Sequence, residues 1–244
     1  MKKLLSASVL ALAATTSFAA STTLSGTVRD FAADGVNFEG GISGLVPGMV
    51  ETTLTGGVPT LTALGQSVVN ETNFNQWFTK PSDNMPLALT LTESSPGSGI
   101  YSFSSSVFFP IDGQLLGNEG RPHNYHFTFA IAAQFGYKPG TGQTFSFTGD
   151  DDVWVFFDNK LGIDLGGVHG AASAVADLDT LMAGKAEGNY SFDFFFAERH
   201  TSESNLQIST SLTLVPVPEP STWALMAAGL AAVGFCARRR QRQA

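Results

Sequence analysis

The sequence predicts an all-β domain, an antiparallel sandwich or barrel with one short helix, held between two processing segments. Three observations lead there. From residue 21 onward, short runs of alternating apolar and polar residues are separated by Gly, Pro, Asn and Asp, which is the punctuation of strands and turns. No long helical periodicity interrupts them. The run 153–157, VWVFF, is apolar on both faces, with Val153, Val155 and Phe157 on one side and Trp154 and Phe156 on the other, as in a doubly buried central strand.

The elements follow in order. A first strand is expected over 24–31. Residues 35–64 are rich in Gly and Thr with weak periodicity and read as loop or irregular edge structure. Over 72–79, Phe74, Trp77 and Phe78 fall at i, i+3 and i+4, so a short helix with one buried face caps the mouth of the sandwich or barrel. Such an aromatic stripe reads as core before ligand platform. Leu87, Leu89 and Leu91 alternate with Ala88, Thr90 and Thr92 in a half-buried strand, and the turn Pro96-Gly97-Ser98-Gly99 leads to Tyr101 and Phe103. Tyr125, Phe127, Phe129 and Ile131 share a strand face, and Phe145 and Phe147 lead into Asp150, Asp151 and Asp152. Asp158-Asn159-Lys160 reads as a hairpin turn before Leu161, Ile163 and Leu165. Tyr190, Phe192, Phe194 and Phe196 make an aromatic core strand, and Leu206, Ile208, Leu212 and Leu214 face inward in the last alternation. The stretch 215–220, VPVPEP, reads as a stiff linker.

Both ends carry processing signals. Lys2 and Lys3 precede the apolar run 4–14, and Ser17-Phe18-Ala19 supplies a small-x-small cleavage site, so residues 1–19 read as a signal peptide cut after Ala19. At the other end an apolar segment of 15 residues, 223–237, precedes Arg238, Arg239, Arg240 and Arg242; it is short against the roughly 20 residues that span a bilayer comfortably, and its arginines would stay cytoplasmic. Residues 20–214 form one domain's worth of chain. That part holds seven basic and 20 acidic residues, a net charge of −13, which argues against nucleic acid and anionic lipid as partners and suits divalent cations. The only cysteine, Cys236, lies in the C-terminal apolar segment, so no disulfide staples the exported domain.

The chemistry concentrates at the three aspartates. Like charges this crowded need hydrogen bonds, solvent or a cation to offset them. By composition a solvated turn is the simpler account; the alternative is calcium, which takes about six to eight oxygens in flexible geometry, with the Glu-, Ser- and Asn-rich loop 198–205 as a source of further ligands. His123 and His126 are three apart and point to opposite sides of a strand, which disfavours a shared zinc. Arg199 is expected to pair with a nearby carboxylate. The sequence holds no nucleophile elbow, phosphate-binding loop or His-Glu-x-x-His helix.

These residues also carry a resemblance. TVRDF at 27–31, FNQWF at 74–78, FFPIDG at 108–113, HNYHFTF at 123–129, FTGDDDVWVFFDNKLGIDLGGVH at 147–169 and FFFAERHTSESNLQI at 194–208 resemble, in order, the fibro-slime domain. That family is similar to the protective-antigen-type β-sandwich of yeast flocculins and bacterial surface lectins, in which two adjacent aspartates joined by a cis peptide hold a calcium ion that contacts sugar hydroxyls. The resemblance implies a calcium (Ca2+) pair at Asp150 and Asp151, with Asp152 beside them and Asn205 and Glu203 as further candidates. Pro218, Glu219 and Pro220, the short apolar helix and Arg238, Arg239 and Arg240 resemble the PEP-CTERM sorting signal of Gram-negative exporters, making 215–244 a tail processed by an exosortase-type enzyme after transient anchoring in the inner membrane.

The function expected from these readings is an exported, non-enzymatic, calcium-assisted carbohydrate-binding or adhesion module. Its partners are an extracellular polysaccharide or glycan of the cell surface or matrix, and no nucleic acid. The alternatives are a structural matrix protein that self-associates without calcium or sugar, and a glycan hydrolase.

Overall fold

Alternation of side chains sets the strands, and the glycine- and asparagine-rich breaks set the turns. The computed structural model describes residues 19–33 and 38–216. They form, in chain order, β1 (Ser21–Asp30), the helices α1 (Ala63–Val68) and α2 (Glu71–Trp77), β2 (Asn84–Glu93), β3 (Tyr101–Ser105), β4 (Phe127–Tyr137), β5 (Thr144–Gly149), β6 (Asp152–Phe157), β7 (Lys160–Leu165), β8 (Ala172–Asp177), α3 (Leu178–Leu181), β9 (Gly188–Glu198), β10 (Leu206–Thr210) and β11 (Thr213–Pro216). The fold class is all-β, as expected. All strands join one sheet in the order β7-β6-β9-β4-β1-β2-β3-β10-β5-β8, with β11 added to β4. The named strand pairs are all antiparallel.

Twist and aromatic packing roll this sheet upon itself. Phe145 of β5 lies 5.8 Å from Phe157 of β6 and 5.3 Å from Phe192 of β9, and Phe147 lies 5.9 Å from Phe194, measured between ring centroids. The two ends of the strand order, β7 and β8, come within 8 Å of each other. The result is a nearly closed sandwich with its main core inside.

The central strand is β6. Its inward face, Val153, Val155 and Phe157, joins that core with Phe192, Phe194 and Phe196. Its other face, Trp154 and Phe156, joins a second core with Phe195, Phe74, Trp77 and Phe78. Residues 153 to 157 of β6 are all 0% exposed, so the doubly apolar run is buried on both sides. Helix α2 covers the second face because Phe74 and Trp77 share its buried stripe. Asn70 caps it by accepting the Asn73 N–H at 3.2 Å. At the β6–β7 turn, Asp158 and Asn159 have φ of 50° and 62°, the left-handed pair of a tight hairpin.

Several details differ from expectation. Three short helices stand where one was expected: α1 has only Gly65 buried and so no apolar stripe to announce it. Strand β8 was not foreseen, since ASAVAD buries only Ala176 and sits at one end of the sheet order. The alternation over 206–214 is two strands: β10 pairs β3 and β5, whereas β11 pairs β4. Val215 and Pro216, expected in the linker, close β11 opposite Gln134 and Ala133. Pro216 is the last residue of that strand, which among the named strands pairs with β4 alone and so stands as an edge, where proline is tolerated. No helix among the described residues is long and apolar enough to cross a membrane. Pro218, Glu219, Pro220, the segment 223–237 with Cys236, and Arg238, Arg239 and Arg240 lie outside the described residues, as does nearly all of the leader segment.

Candidate functional site

Four strand ends bring the aspartates to one place. Gly149 ends β5 and pairs with Leu206 at the start of β10, which sets Asp150 beside Asn205. Asp152 opens β6 opposite Ala197 of β9, which sets Asp151 and Asp152 beside Glu198 and Arg199. The peptide bond between Asp150 and Asp151 is cis. Gly149 is required by close approach: a Cβ there would run into the carbonyl oxygen of Asn205.

The three carboxylates then diverge. Asp150 Oδ1 accepts the Asn205 backbone N–H at 2.5 Å and Oδ2 accepts Asn205 Nδ2–H at 2.7 Å. Asn205 Nδ2 also lies 3.3 Å from Glu203 Oε2, so Asp150, Asn205 and Glu203 are brought together. Asp151 Oδ1 accepts the His169 N–H at 2.8 Å and Oδ2 accepts the Arg199 N–H at 3.0 Å. Burial, followed by the charge of Asp152, pushes the Asp151 carboxyl up to about 8. Asp152 turns inward: Oδ1 accepts the Gly167 N–H at 2.5 Å, and Oδ2 takes Arg199 Nε at 2.7 Å as a buried ion pair. The Arg199 guanidinium also lies 5.2 Å from the Trp77 ring.

Asp150 and Asp151 line a cleft of about 280 Å3 together with Ile42, His169, His200 and Glu203. Asp152 is not among its lining groups. Glu198, which sequence reasoning held only as a member of a polar loop, stands at this site as well. It is 1% exposed, and neither carboxyl oxygen makes a well-formed hydrogen bond, with Ser204 the polar side chain beside it. Ser204 Oγ donates to the Phe108 carbonyl at 2.8 Å. Burial, then the charge of Asp151, drives the Glu198 carboxyl well above its ordinary range.

The donor set fits a hard cation. Each oxygen of Asp150 and Asp151 accepts one N–H and so keeps a further lone pair; Glu198 is a buried acid close by without a well-formed hydrogen bond. Among the described residues no three His, Cys, Asp or Glu side chains converge as a metal-holding group. An ion at the aspartate pair would therefore need amide, carbonyl, water or ligand oxygens as well. His123 and His126 precede β4 rather than lying in a strand; His123 Nδ1 lies 2.6 Å from Asp112 Oδ2, and His126 Nε2 lies 2.7 Å from Glu39 Oε1.

Comparison with known proteins bears on this site. The PA14 domain profile matches residues 116–221, and the PEP-CTERM protein-sorting motif matches residues 216–240. The PA14 match takes in β4 to β11 and the three aspartates, and leaves β1 to β3 outside. Among curated relatives from Dictyostelium discoideum, protein psiQ is 43% identical over 190 residues, covering 70% of this chain and 19% of psiQ. Protein psiR is 44% identical over 162 residues, covering 60% of this chain and 16% of psiR, and protein psiC is 45% identical over 156 residues, covering 59% and 30%. The chain thus spans less than a third of the length of each of these three relatives. PA14 domains are carbohydrate-binding and adhesion-type modules, and the PEP-CTERM motif marks exported proteins of Gram-negative bacteria.

Proposed function

We propose that the chain is an exported, non-catalytic module that binds surface or matrix carbohydrate with the help of calcium, its sorting tail being handled by an exosortase-type enzyme. The observation that carries this reading is the pair of carboxylates, Asp150 and Asp151, lining one cleft with Glu203, beside Asn205 and a buried Glu198 without a well-formed hydrogen bond. Asp150 and Asp151 would hold the ion, and Asn205 and Glu203 would serve from the facing loop. Asp152 acts through Arg199, fixing the start of β6. Calcium would supply open coordination positions for sugar hydroxyls, while Ile42, 74% exposed at the cleft, offers a face to the apolar side of a sugar ring. In this reading the leader is 1–19, and the module runs from residue 20 through the end of β11 at 216, followed by the sorting tail.

Titrating calcium into the exported full chain while following thermal unfolding tests the proposal. A ligand specific to the folded state stabilises it by about 2.7 kcal/mol at a hundredfold excess over Kd. The midpoint is expected to rise in the wild type and to stay fixed in Asp150→Asn and Asp151→Asn; no rise in the wild type rejects calcium. A glycan array read with and without chelator then separates the two binding claims. Calcium-independent assembly together with a blank array would favour the structural matrix protein instead.

A further inference from the structure

The last residue of β2 holds a buried charge with no cationic side chain to meet it. Glu93 is 8% exposed, and none of the ion pairs among the described residues includes it. Its carboxylate accepts the Gly99 N–H at 2.8 Å and the Ala20 N–H at 3.2 Å. These bonds, Gly99's first, hold its pKa below the ordinary carboxylate range, so it is ionised at neutral pH. The Glu93 N–H in turn donates to the Ala20 carbonyl at 2.7 Å, and the next residue, Ser21, is in register with Thr92. Ala20 is thus fixed on Glu93 from both sides. It is also the residue that follows the small-x-small site Ser17-Phe18-Ala19, and Ala19 and Ala20 are both exposed.

We propose that the Ala19–Ala20 bond is the export cleavage site and that Glu93 is the receptor for the new N-terminus, an ion pair that exists only in the processed protein. A leader peptidase adds water across the amide: the C–N bond breaks, Ala19 leaves as a carboxylate, and the Ala20 nitrogen becomes an ammonium. The β1–β2 register keeps that nitrogen at Glu93, where a hydrogen bond from a neutral amide N–H to the carboxylate becomes an ion pair between ammonium and carboxylate. Processing therefore locks β1 onto β2. Glu93 is the charged group that reaches Ala20 from β2; Tyr101 stands opposite Glu93 on β3. From β11, the Leu214 carbonyl accepts Thr22 Oγ at 3.3 Å.

A free α-amine titrates at about 7.7–8.0, and a carboxylate partner raises that value in the folded state. The stabilisation is then fully present below about pH 7.7 and is lost as pH rises through the raised folded-state value. The test exports the full chain in a Gram-negative host, extracts it in mild detergent and identifies the N-terminal residue by mass spectrometry. Thermal midpoints follow at pH 6.5 and 9.5. The N-terminus is expected at Ala20, and the wild type is expected to lose about 3 °C more than Glu93→Gln between the two pH values. Should Glu93→Gln fail to fold, Ala19→Leu, which blocks cleavage and leaves an amide at Ala20, is expected to show the same loss of pH dependence. A different N-terminal residue, or a variant whose pH profile matches the wild type, overturns the proposal. Neither readout depends on calcium or sugar.

Discussion

Arg199 shows at the level of one side chain how the candidate site is braced. Its side chain is 3% exposed and Asp152 is wholly buried, so each charge depends on the other for lost hydration. Removing one partner of such a pair leaves an uncompensated buried charge, at a cost of about 3–5 kcal/mol. Arg199→Leu is accordingly expected to destabilise by about that much, and Asp152→Asn in the same background to recover a large part of it, because the amide oxygen can still accept the Gly167 N–H. Urea unfolding of the wild type, the two single variants and the double variant measures the coupling; a coupling near zero would mean that Arg199 stabilises through contacts other than Asp152, the Trp77 ring among them. Sequence anticipated that Arg199 finds a carboxylate but not which one, since the choice depends on Asp152 standing opposite Ala197. It drew attention to Asp150 and Asp151 through resemblance, while composition left the triplet between a solvated turn and a cation. Glu198 was foreseen only as part of the ligand-bearing loop 198–205; its burial is what a polar loop sequence does not reveal.

At the scale of single elements, the junction of β5 and β10 carries Asp150, and Gly149 sets how closely those strands approach. Gly149→Ala would drive a methyl against the Asn205 carbonyl and the Phe147 ring. The neighbouring contact is backbone and cannot rotate away, so the strands must part, at a cost of about 1–3 kcal/mol. The expected outcome is a lower unfolding midpoint together with a smaller calcium-induced rise, because Asn205 moves away from Asp150. A variant that melts lower but keeps the full calcium response would separate strand spacing from ion binding. The strands most readable in the sequence are those with large side chains on buried faces: β6, apolar on both sides, and β9, with aromatics at alternate positions. Those least readable bury little. Strand β8 offers Ala, Ser and Val with Val175 64% exposed, and α1 follows from the Thr62 cap, which accepts the Gly65 N–H at 3.2 Å, rather than from any stripe.

Over the whole molecule, the order of strands in the sheet does not follow the chain, and here sequence reasoning reached only the class. Alternation tells which residues face inward, but two strands with the same pattern can exchange neighbours without changing it. The continuous alternation of 206–214 conceals a change of partner from β3 and β5 to β4. The same topology decides what can fold alone. Strands β1, β2 and β3 lie between β4 and β10 in the sheet order, yet the PA14 match begins at residue 116, after all three. A fragment of residues 116–216 would therefore lack the strands that connect β4, β9 and β6 to β10 and β5. It would expose the β1-facing edge of β4 and the β3-facing edge of β10, and unpaired edges of this kind promote aggregation. Leu24, Val28, Leu89 and Leu91, all buried in the main core, would be missing from the interior as well. Such a fragment is expected to show no cooperative thermal transition and to aggregate, whereas residues 20–216 should melt in a single step. Circular dichroism and light scattering during heating distinguish the two. A cooperative melt in the shorter fragment would mean that β4 and β10 can close on each other directly, and that β1 to β3 are an insertion rather than the middle of the sheet.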